Sequence, residues 1–300
     1  MKKILITGSH GYLARHTAYL LKKKHYNIHG IGNGKWTKKQ YKKWGYSYLI
    51  NGKVNLNNLL KYFNKFDYVV HCAGSGTVGL SSQEDFKKNI IPIKSVLKFV
   101  KLKSPNSKII FLSSYSVYGN NYINPIKENF KTKPISDYAI NKKIAEDLCL
   151  YYSKKFKINM LILRAASLYG NGLEKQFIFD ACSKIKNRNN IFRGTGNEIR
   201  DFIHISDMVN LIYHFIKKGF KDKTIVNCGS GKGHKIKDVL KFIMNELNTD
   251  LIPKFNKLSD SNPSTLIVNI RVAKRFGWSP KKKLTDGLKE YVKWYKENFI

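Results

Sequence analysis

Residues 4–21, ILITGSHGYLARHTAYLL, decide the fold. A short apolar run from Ile4 to Thr7 ends at Gly8, and Leu13, Thr17, Leu20 and Leu21 follow at helical spacing. Buried strand, glycine turn and amphipathic helix together make one βα unit. Inside the turn Gly8, Gly11 and Ala14 stand as G-x-x-G-x-x-A. Glycine permits a tight turn and the close approach of a pyrophosphate, while the helix N-terminus presents free N–H groups and a positive dipole end. His10, Tyr12 and Leu13 are candidate cofactor contacts in the same turn. A purely structural turn uses the same glycines, so the motif needs support from elsewhere in the chain.

That support begins with the pattern downstream. Apolar runs at 27–31, 68–72, 108–112, 160–164 and 224–227 read as strands, and 94–103 and 139–156 as helices. Strands that alternate with helices predict an α/β fold with a doubly wound parallel sheet, whose active site lies at the carboxyl ends of the strands. Beyond about residue 170 the elements shorten between Asn-, Gly- and Lys-rich loops, which fits a smaller lobe. The expected division is a dinucleotide-binding domain over 1–172 and 200–229, with a substrate lobe over 173–199 and 230–300 interleaved with it. Leu284, Leu288, Tyr291, Val292 and Trp294 predict a terminal amphipathic helix.

The 300 residues are 42% hydrophobic, enough for a substantial core. A formal charge of +35 would ordinarily point to nucleic acid or an anionic membrane. Only seven of the 55 basic residues are Arg, however, and the Lys residues are scattered along the whole chain, so the charge reads as compositional bias. Neither a nucleic-acid nor a membrane partner is expected, and an anionic substrate is compatible. Cys72, Cys149, Cys182 and Cys228 are widely spaced in apolar contexts without a C-x-x-C pair, which reads as reduced core thiols and no metal site. The first strand is too short for a signal peptide or membrane span, so a cytoplasmic location is expected.

At the end of the second strand, where NAD-preferring sites place an acidic residue against the ribose hydroxyls, the stretch NIHGIGNGK has Gly32. Asn33, Gly34 and Lys35 follow. Removing the carboxylate removes its repulsion of a 2′-phosphate, and Lys35 or Lys38 adds attraction. NADP is therefore favoured over NAD, with an NAD site in a Lys-rich chain as the alternative.

The chemistry is concentrated at two places. The strand IIFLSS runs into Ser114, and PISDYAINK places Tyr138 and Lys142 four apart, on one face of a helix. A Lys ammonium there, helped by the cationic nicotinamide ring in the oxidised state, is expected to lower the phenol from its usual value of about 10. Tyr138 would then act as base when an alcohol is oxidised and as acid when a ketone is reduced, with Ser114 bonding the same substrate oxygen. Hydride would pass to or from the nicotinamide ring. A chance Tyr and Lys pair on an exposed helix is the competing reading in so Lys-rich a chain.

TGSHGYLA, HCAGSG at 71–76, SSYSVYG at 113–119, PISDYAINK at 134–142, LRAASLYGNG at 163–172, RDFIHISD at 200–207 and NCGSGKG at 227–233 occur in that order, before RFGWSP at 275–280. The chain resembles the extended short-chain dehydrogenases, the group containing NAD(P)-dependent nucleotide-sugar epimerases, dehydratases and ketoreductases. The resemblance implies a catalytic Ser114, Tyr138 and Lys142 and a cofactor cleft lined by Ala73 and Gly74. His71 lies beside that cleft or is a satisfied strand-end side chain. The resemblance also implies a nucleotide diphosphate held by Arg200, with Tyr115 and Ser167 on the substrate side. Glu128 matches an acidic loop residue of the family, or is a solvated carboxylate. A homodimer through helices near 92–103 and 139–155 is implied too, as is a role in surface-polysaccharide synthesis.

Several departures narrow the reaction. Sugar dehydratases of this kind follow the catalytic Ser or Thr with an Asp-Glu pair, and here Tyr115 and Ser116 stand in its place, so dehydration is not expected. An epimerase that oxidises and re-reduces a sugar hydroxyl carbon, with C4 expected, then stands ahead of an NADPH-dependent ketoreductase of a nucleotide-linked 4-keto sugar. Ser259 occupies the position of a phosphate-gripping Arg, which leaves open a small-carbonyl reductase on the same fold. A non-catalytic cofactor-sensing or RNA-binding module is the reading from a different class.

Overall fold

In the computed structural model the described residues are 1–76, 80–120, 122, 125–256 and 264–300. Ser259, with Lys257 and Asn262, lies outside them. In chain order the elements are β1 (Lys3–Thr7), α1 (Tyr12–Lys23), β2 (Asn27–Gly32), α2 (Lys38–Lys43), β3 (Tyr48–Asn51), α3 (Leu56–Tyr62), β4 (Tyr68–His71), α4 (Ser82–Lys103), β5 (Lys108–Ser114), α5 (Asp137–Phe156) and β6 (Met160–Ala165). There follow β7 (Ser167–Tyr169), α6 (Gln176–Lys186), β8 (Ile191–Arg193), β9 (Ile199–His204), α7 (Ile205–Lys218), β10 (Lys223–Cys228), β11 (Gly233–Lys235), α8 (Ile236–Glu246), β12 (Lys254–Asn256), β13 (Thr265–Leu266), α9 (Arg271–Arg275) and α10 (Leu284–Phe299).

Seven strands form a parallel sheet in the order β10-β6-β5-β4-β1-β2-β3. Strands covered on both faces have to be apolar throughout, as Ile4, Leu5 and Ile6 of β1 and Met160 to Leu163 of β6 are. The strand order reverses beside β1, between β2 and β4, and such a switch point opens a crevice at the carboxyl ends. Five of the strands expected from sequence enter this sheet together with the N-terminal one. β3 was not expected: it is a four-residue edge strand with Tyr48 and Asn51 exposed, too short and too polar to signal itself.

The chain divides into two compact units. Unit 1 comprises 1–117, 136–164 and 209–226, and unit 2 comprises 118–135, 165–208 and 227–300. Residues 118–135, 165–172, 200–208 and 227–229, grouped above with the dinucleotide-binding domain, fall in unit 2, where β7 pairs with β9 and not with the central sheet. The unit 1 core packs Leu5, Val69, Ile109 and Ile162 of the sheet against Ile93, Val96 and Val100 of α4 and Ala145 and Cys149 of α5. In unit 2, β9 pairs with β7, β11 and β13, and a second core gathers Tyr169, Cys182, Phe202, Leu240, Tyr291 and Val292. The terminal helix expected from sequence is α10, with Leu288, Tyr291 and Val292 on its buried face.

α4 begins twelve residues earlier than its expected start at 94, at Ser82. Ser81 caps it by accepting from Glu84 N, while Glu84 and Asp85 in the first turn and Lys101 and Lys103 in the last complement the helix dipole. Pro92 sits within it, a residue that ordinarily ends a helical reading. α5 carries a buried ion pair to β6: Arg164 Nε and Nη2 donate to Glu146 at 3.0 and 2.7 Å. No helix among the described residues is long and apolar enough to cross a membrane.

Candidate active site

At the dinucleotide turn Gly8 has a φ of +72°, and a Cβ there would lie 2.7 Å from the Ala73 backbone. Any side chain is thus excluded by conformation and by space together. Gly8 N and Ser9 N both donate to Ile31 O, and Gly11 N to Gly8 O. Gly11 caps α1 without a side-chain bond, and no acidic residue occupies the first turn, so the positive end of the helix dipole faces the turn without a neighbouring carboxylate. Ala14 is fully buried, as the third small position requires for helix and sheet to pack closely. These residues fit the pyrophosphate of a nicotinamide dinucleotide.

The adenosine end holds a feature that sequence reasoning did not find. His10 Nδ1 accepts from Gly34 N at 3.1 Å, so the ring proton sits on Nε2 and is donated to Asn51 Oδ1 at 3.0 Å. Burial lowers the His10 pKa and keeps the ring neutral. A Cβ on Gly32 would lie 2.6 Å from His10 Nδ1, so the imidazole takes the room in which an acidic side chain would stand. Asn51 also bonds Trp36 N and O, which fastens the segment carrying Asn33 and Lys35. Both of those side chains are exposed. The Gly32 departure was visible in sequence; its filling by a residue 22 positions earlier was not.

Ser114 ends β5, and α5 opens one residue before Tyr138, capped by the Ser136 hydroxyl on Ala139 N. Ser114 Oγ accepts from Ser116 N at 3.2 Å and from Ser116 Oγ at 2.9 Å, which leaves its own proton for the Tyr138 phenol, to which it is hydrogen-bonded. Lys142 Nζ donates to Leu112 O at 3.0 Å and lies 5.8 Å from the Tyr138 ring centroid. The three side chains expected to act together are therefore brought together.

Their electrostatics depart from expectation. The Tyr138 phenol is pushed up to about 12, first by burial, with the Ser114 bond opposing and Asp85 and Tyr115 adding to the rise. Burial likewise lowers Lys142 to about 8. Lys142 does not bring the phenol down here, because its ammonium is bonded to the Leu112 carbonyl and desolvation outweighs its field. A further positive charge, of the kind an oxidised nicotinamide ring carries, has to supply the remainder.

Among the other expected residues, His71 is buried at the end of β4, with Nδ1 2.8 Å from Thr7 Oγ1 and Nε2 buried without a hydrogen-bond partner. Ala73 is buried and Gly74 is exposed with a φ of +147°. Glu128 is not a solvated loop carboxylate: it is half-buried and accepts from Asn227 N at 3.0 Å. Tyr115 is buried in unit 1, whereas Ser167 on β7 and Arg200 on β9 belong to the small sheet of unit 2. Arg200 makes no ion pair among the described residues; its Nη1 donates to Ile199 O at 3.0 Å. Nor do three or more His, Cys, Asp or Glu side chains converge as a metal site among those residues.

A doubly wound parallel sheet with a glycine turn after β1 and a Ser, Tyr and Lys set on β5 and α5 defines the class of nicotinamide-dependent short-chain dehydrogenases. Residues 4–229 match the profile described as the NAD dependent epimerase/dehydratase family, and the chain belongs to that family. It is an NAD-dependent enzyme of the extended short-chain type. A putative UDP-glucose 4-epimerase of Methanocaldococcus jannaschii is 26% identical over 98% of this chain and 99% of its own. UDP-glucuronate 4-epimerase 2 of Arabidopsis thaliana is 25% identical over 97% of this chain and 75% of its own. The dTDP-D-glucose 4,6-dehydratase of Bos taurus is also 25% identical, over 99% and 90%. Among solved structures, the Bacillus cereus UDP-glucuronic acid 4-epimerase in complex with UDP-glucuronic acid and NAD superposes with a TM-score of 0.88 at 25% identity, covering 99% of this chain and 100% of that one.

Proposed function

We propose that this enzyme is a nucleotide-sugar epimerase that inverts a hydroxyl-bearing carbon, C4 of the sugar, by transient oxidation. The observation that carries the reading is the Ser114, Tyr138 and Lys142 set followed by Tyr115 and Ser116. No carboxylate follows Ser114, so the elimination of water that a dehydratase performs has no acid and base pair to run it. In the oxidative half Tyr138 takes the hydroxyl proton while Ser114 bonds the same oxygen. Lys142, with the positive charge that an oxidised nicotinamide ring would add, favours the phenolate before that proton arrives. The glycine turn and the N-terminus of α1 would hold NAD, which would supply the hydride acceptor and donor. The keto sugar presents its other face, and Tyr138 gives the proton back.

Unit 1 serves as the cofactor-binding part and unit 2 as the substrate-binding part. Arg200 is the candidate contact to the nucleotide diphosphate, a guanidinium being suited to phosphate oxygens. Tyr115 and Ser167 are candidates toward the sugar. NAD is proposed over NADP, since an epimerase recycles its cofactor and the NAD-complexed relative superposes over its whole length. α4 and α5 expose Phe86, Ile91, Leu102, Ile140, Ile144 and Tyr151, an apolar set that supports a homodimer through these helices. Four free cysteines agree with a cytoplasmic setting.

Gly32 supports a second reading, an NADPH-dependent ketoreductase of a nucleotide-linked 4-keto sugar. Purified enzyme incubated with UDP-, GDP-, dTDP- and CDP-sugars and analysed by NMR is expected to interconvert a pair of C4 epimers with no added reductant. Tyr138→Phe is expected to lose about 10²- to 10⁴-fold of that rate. Turnover only of keto sugars with NADPH would select the reductase, and no turnover of any sugar would sink both.

A further inference from the structure

Asp85, in the first turn of α4, is 2% exposed and forms no salt bridge among the described residues. An ionised carboxylate so placed is unfavourable unless the surroundings compensate it. Three features do. It stands at the positive end of α4, its Oδ1 accepts from Asn89 Nδ2 at 3.0 Å, and its Oδ2 accepts from Asn141 Nδ2 at 2.7 Å. Asn141 immediately precedes Lys142, so the carboxylate is tied to the helix that carries Tyr138 and Lys142.

The same bonds orient Asn89. Its amide nitrogen serves both Asp85 Oδ1 and Asp85 O, the latter at 3.2 Å, and the reverse orientation would set its oxygen against the carboxylate. Asn89 Oδ1 therefore points away, buried and with no hydrogen-bond partner. It points at Gly74: a Cβ on that residue would lie 2.7 Å from Asn89 Oδ1 and 3.4 Å from Lys142 Nζ. An acceptor and an ammonium thus converge where a glycine leaves room.

We propose that Asp85 is a positioning residue for proton transfer, fixing Asn89 and Asn141 and setting the charge balance of the Tyr138 and Lys142 pair. The inference rests on the roles proposed for those two residues and not on the identity of the sugar. A negative charge beside the pair disfavours the phenolate and favours the ammonium. The Asp85 carboxylate raises Tyr138 and Lys142 together, and at Lys142 this works against the burial that brings it to about 8. Cys72 from the end of β4, with Glu146 and Cys149 from α5, act on Lys142 in the same direction, while Ser114 and Tyr115 face Tyr138.

A simple clamp between α4 and α5 is the rival account, and a titration of Tyr138 separates the two. The ultraviolet absorbance of tyrosinate is followed against pH with saturating NAD, and subtracting the Tyr138→Phe curve in each background isolates the one phenol. Asp85→Asn is expected to move that midpoint to lower pH, on the order of one unit. Asp85→Ser carries the same expectation should the amide variant fail to fold. Asn141→Ser breaks one clamp bond and keeps the charge, so it is expected to lower the melting temperature and leave the midpoint in place. An unmoved midpoint in the Asp85 variants overturns the proposal, as does an equal movement in Asn141→Ser. The titration needs no sugar, so a sugar panel without turnover defeats the epimerase reading while leaving this outcome to stand or fall separately.

Discussion

Among the described residues each unit buries one carboxylate completely, Glu146 in unit 1 and Asp201 in unit 2, and the two are compensated by different means. Glu146 meets a cation, bonding both Arg164 nitrogens and the Ser113 hydroxyl. Asp201 meets backbone: it accepts from Ser230 N at 2.7 Å, Gly231 N at 3.0 Å and the Ser230 hydroxyl at 2.7 Å, with a longer contact from Val268 N. In unit 1 regular elements supply side chains at fixed spacing, so charge can balance charge between a helix and a strand. In unit 2 the neighbour is the irregular NCGSGKG segment, whose N–H groups lack ladder partners and need an acceptor. Gly229 belongs to the same arrangement, since a Cβ there would lie 2.5 Å from Asp201 Oδ2. Amide dipoles compensate less fully than a guanidinium, and burial pushes Asp201 up to about 6 despite its donors.

The largest effect expected from this contrast is at Glu146. Glu146→Ala strands the Arg164 guanidinium in the core and should cost about 3–5 kcal/mol in denaturant unfolding. A loss below about 1 kcal/mol would break the idea that the pair compensates itself. A smaller, pH-dependent effect is expected at Asp201. Its folded value near 6 lies above the value of about 3.9 for an unfolded aspartate, so ionisation opposes folding. The contribution to stability is complete below about pH 4 and is lost as pH rises through about 6. Unfolding midpoints of the natural chain should therefore fall relative to Asp201→Asn between pH 4 and pH 7, and parallel curves would show that its donors compensate it fully. The smallest effect belongs to the exposed pair of Arg188 and Asp250, with side chains 72% and 81% exposed. Asp250→Ala should change stability by less than about 1 kcal/mol in the same assay.

What could be read in the sequence follows the same divide. β1, β4, β5 and β6 announce themselves because an interior parallel strand is largely apolar, β2 and β10 by shorter apolar runs, and Ser114, Tyr138 and Lys142 because strand end and helix turn impose fixed spacings. β3 lacks that signal, and α4 hides its first half behind Pro92 and a run of polar residues. Contacts between distant positions were not legible at all: His10 over Gly32, Asn51 across Trp36, Asp85 against Asn141. Each depends on which loops the sheet brings side by side, and no local period encodes that. The rise of the Tyr138 phenol through burial was not legible for a related reason, since burial is a property of the assembled site and spacing says nothing about it.

The strand order has a consequence for how the protein is made. Once β1, β2 and β3 are paired, β4, β5, β6 and β10 each join the same edge, one after another, in the order a ribosome delivers them. The nascent sheet grows in one direction, with one open edge at a time awaiting the next strand to leave the exit tunnel. Unit 2, assembled from 118–135, 165–208 and 227–300, has no such order and waits for the final helix. Synthesis thus delivers the dinucleotide turn and six strands of the sheet before β10, while unit 2 gathers segments that lie on both sides of that strand.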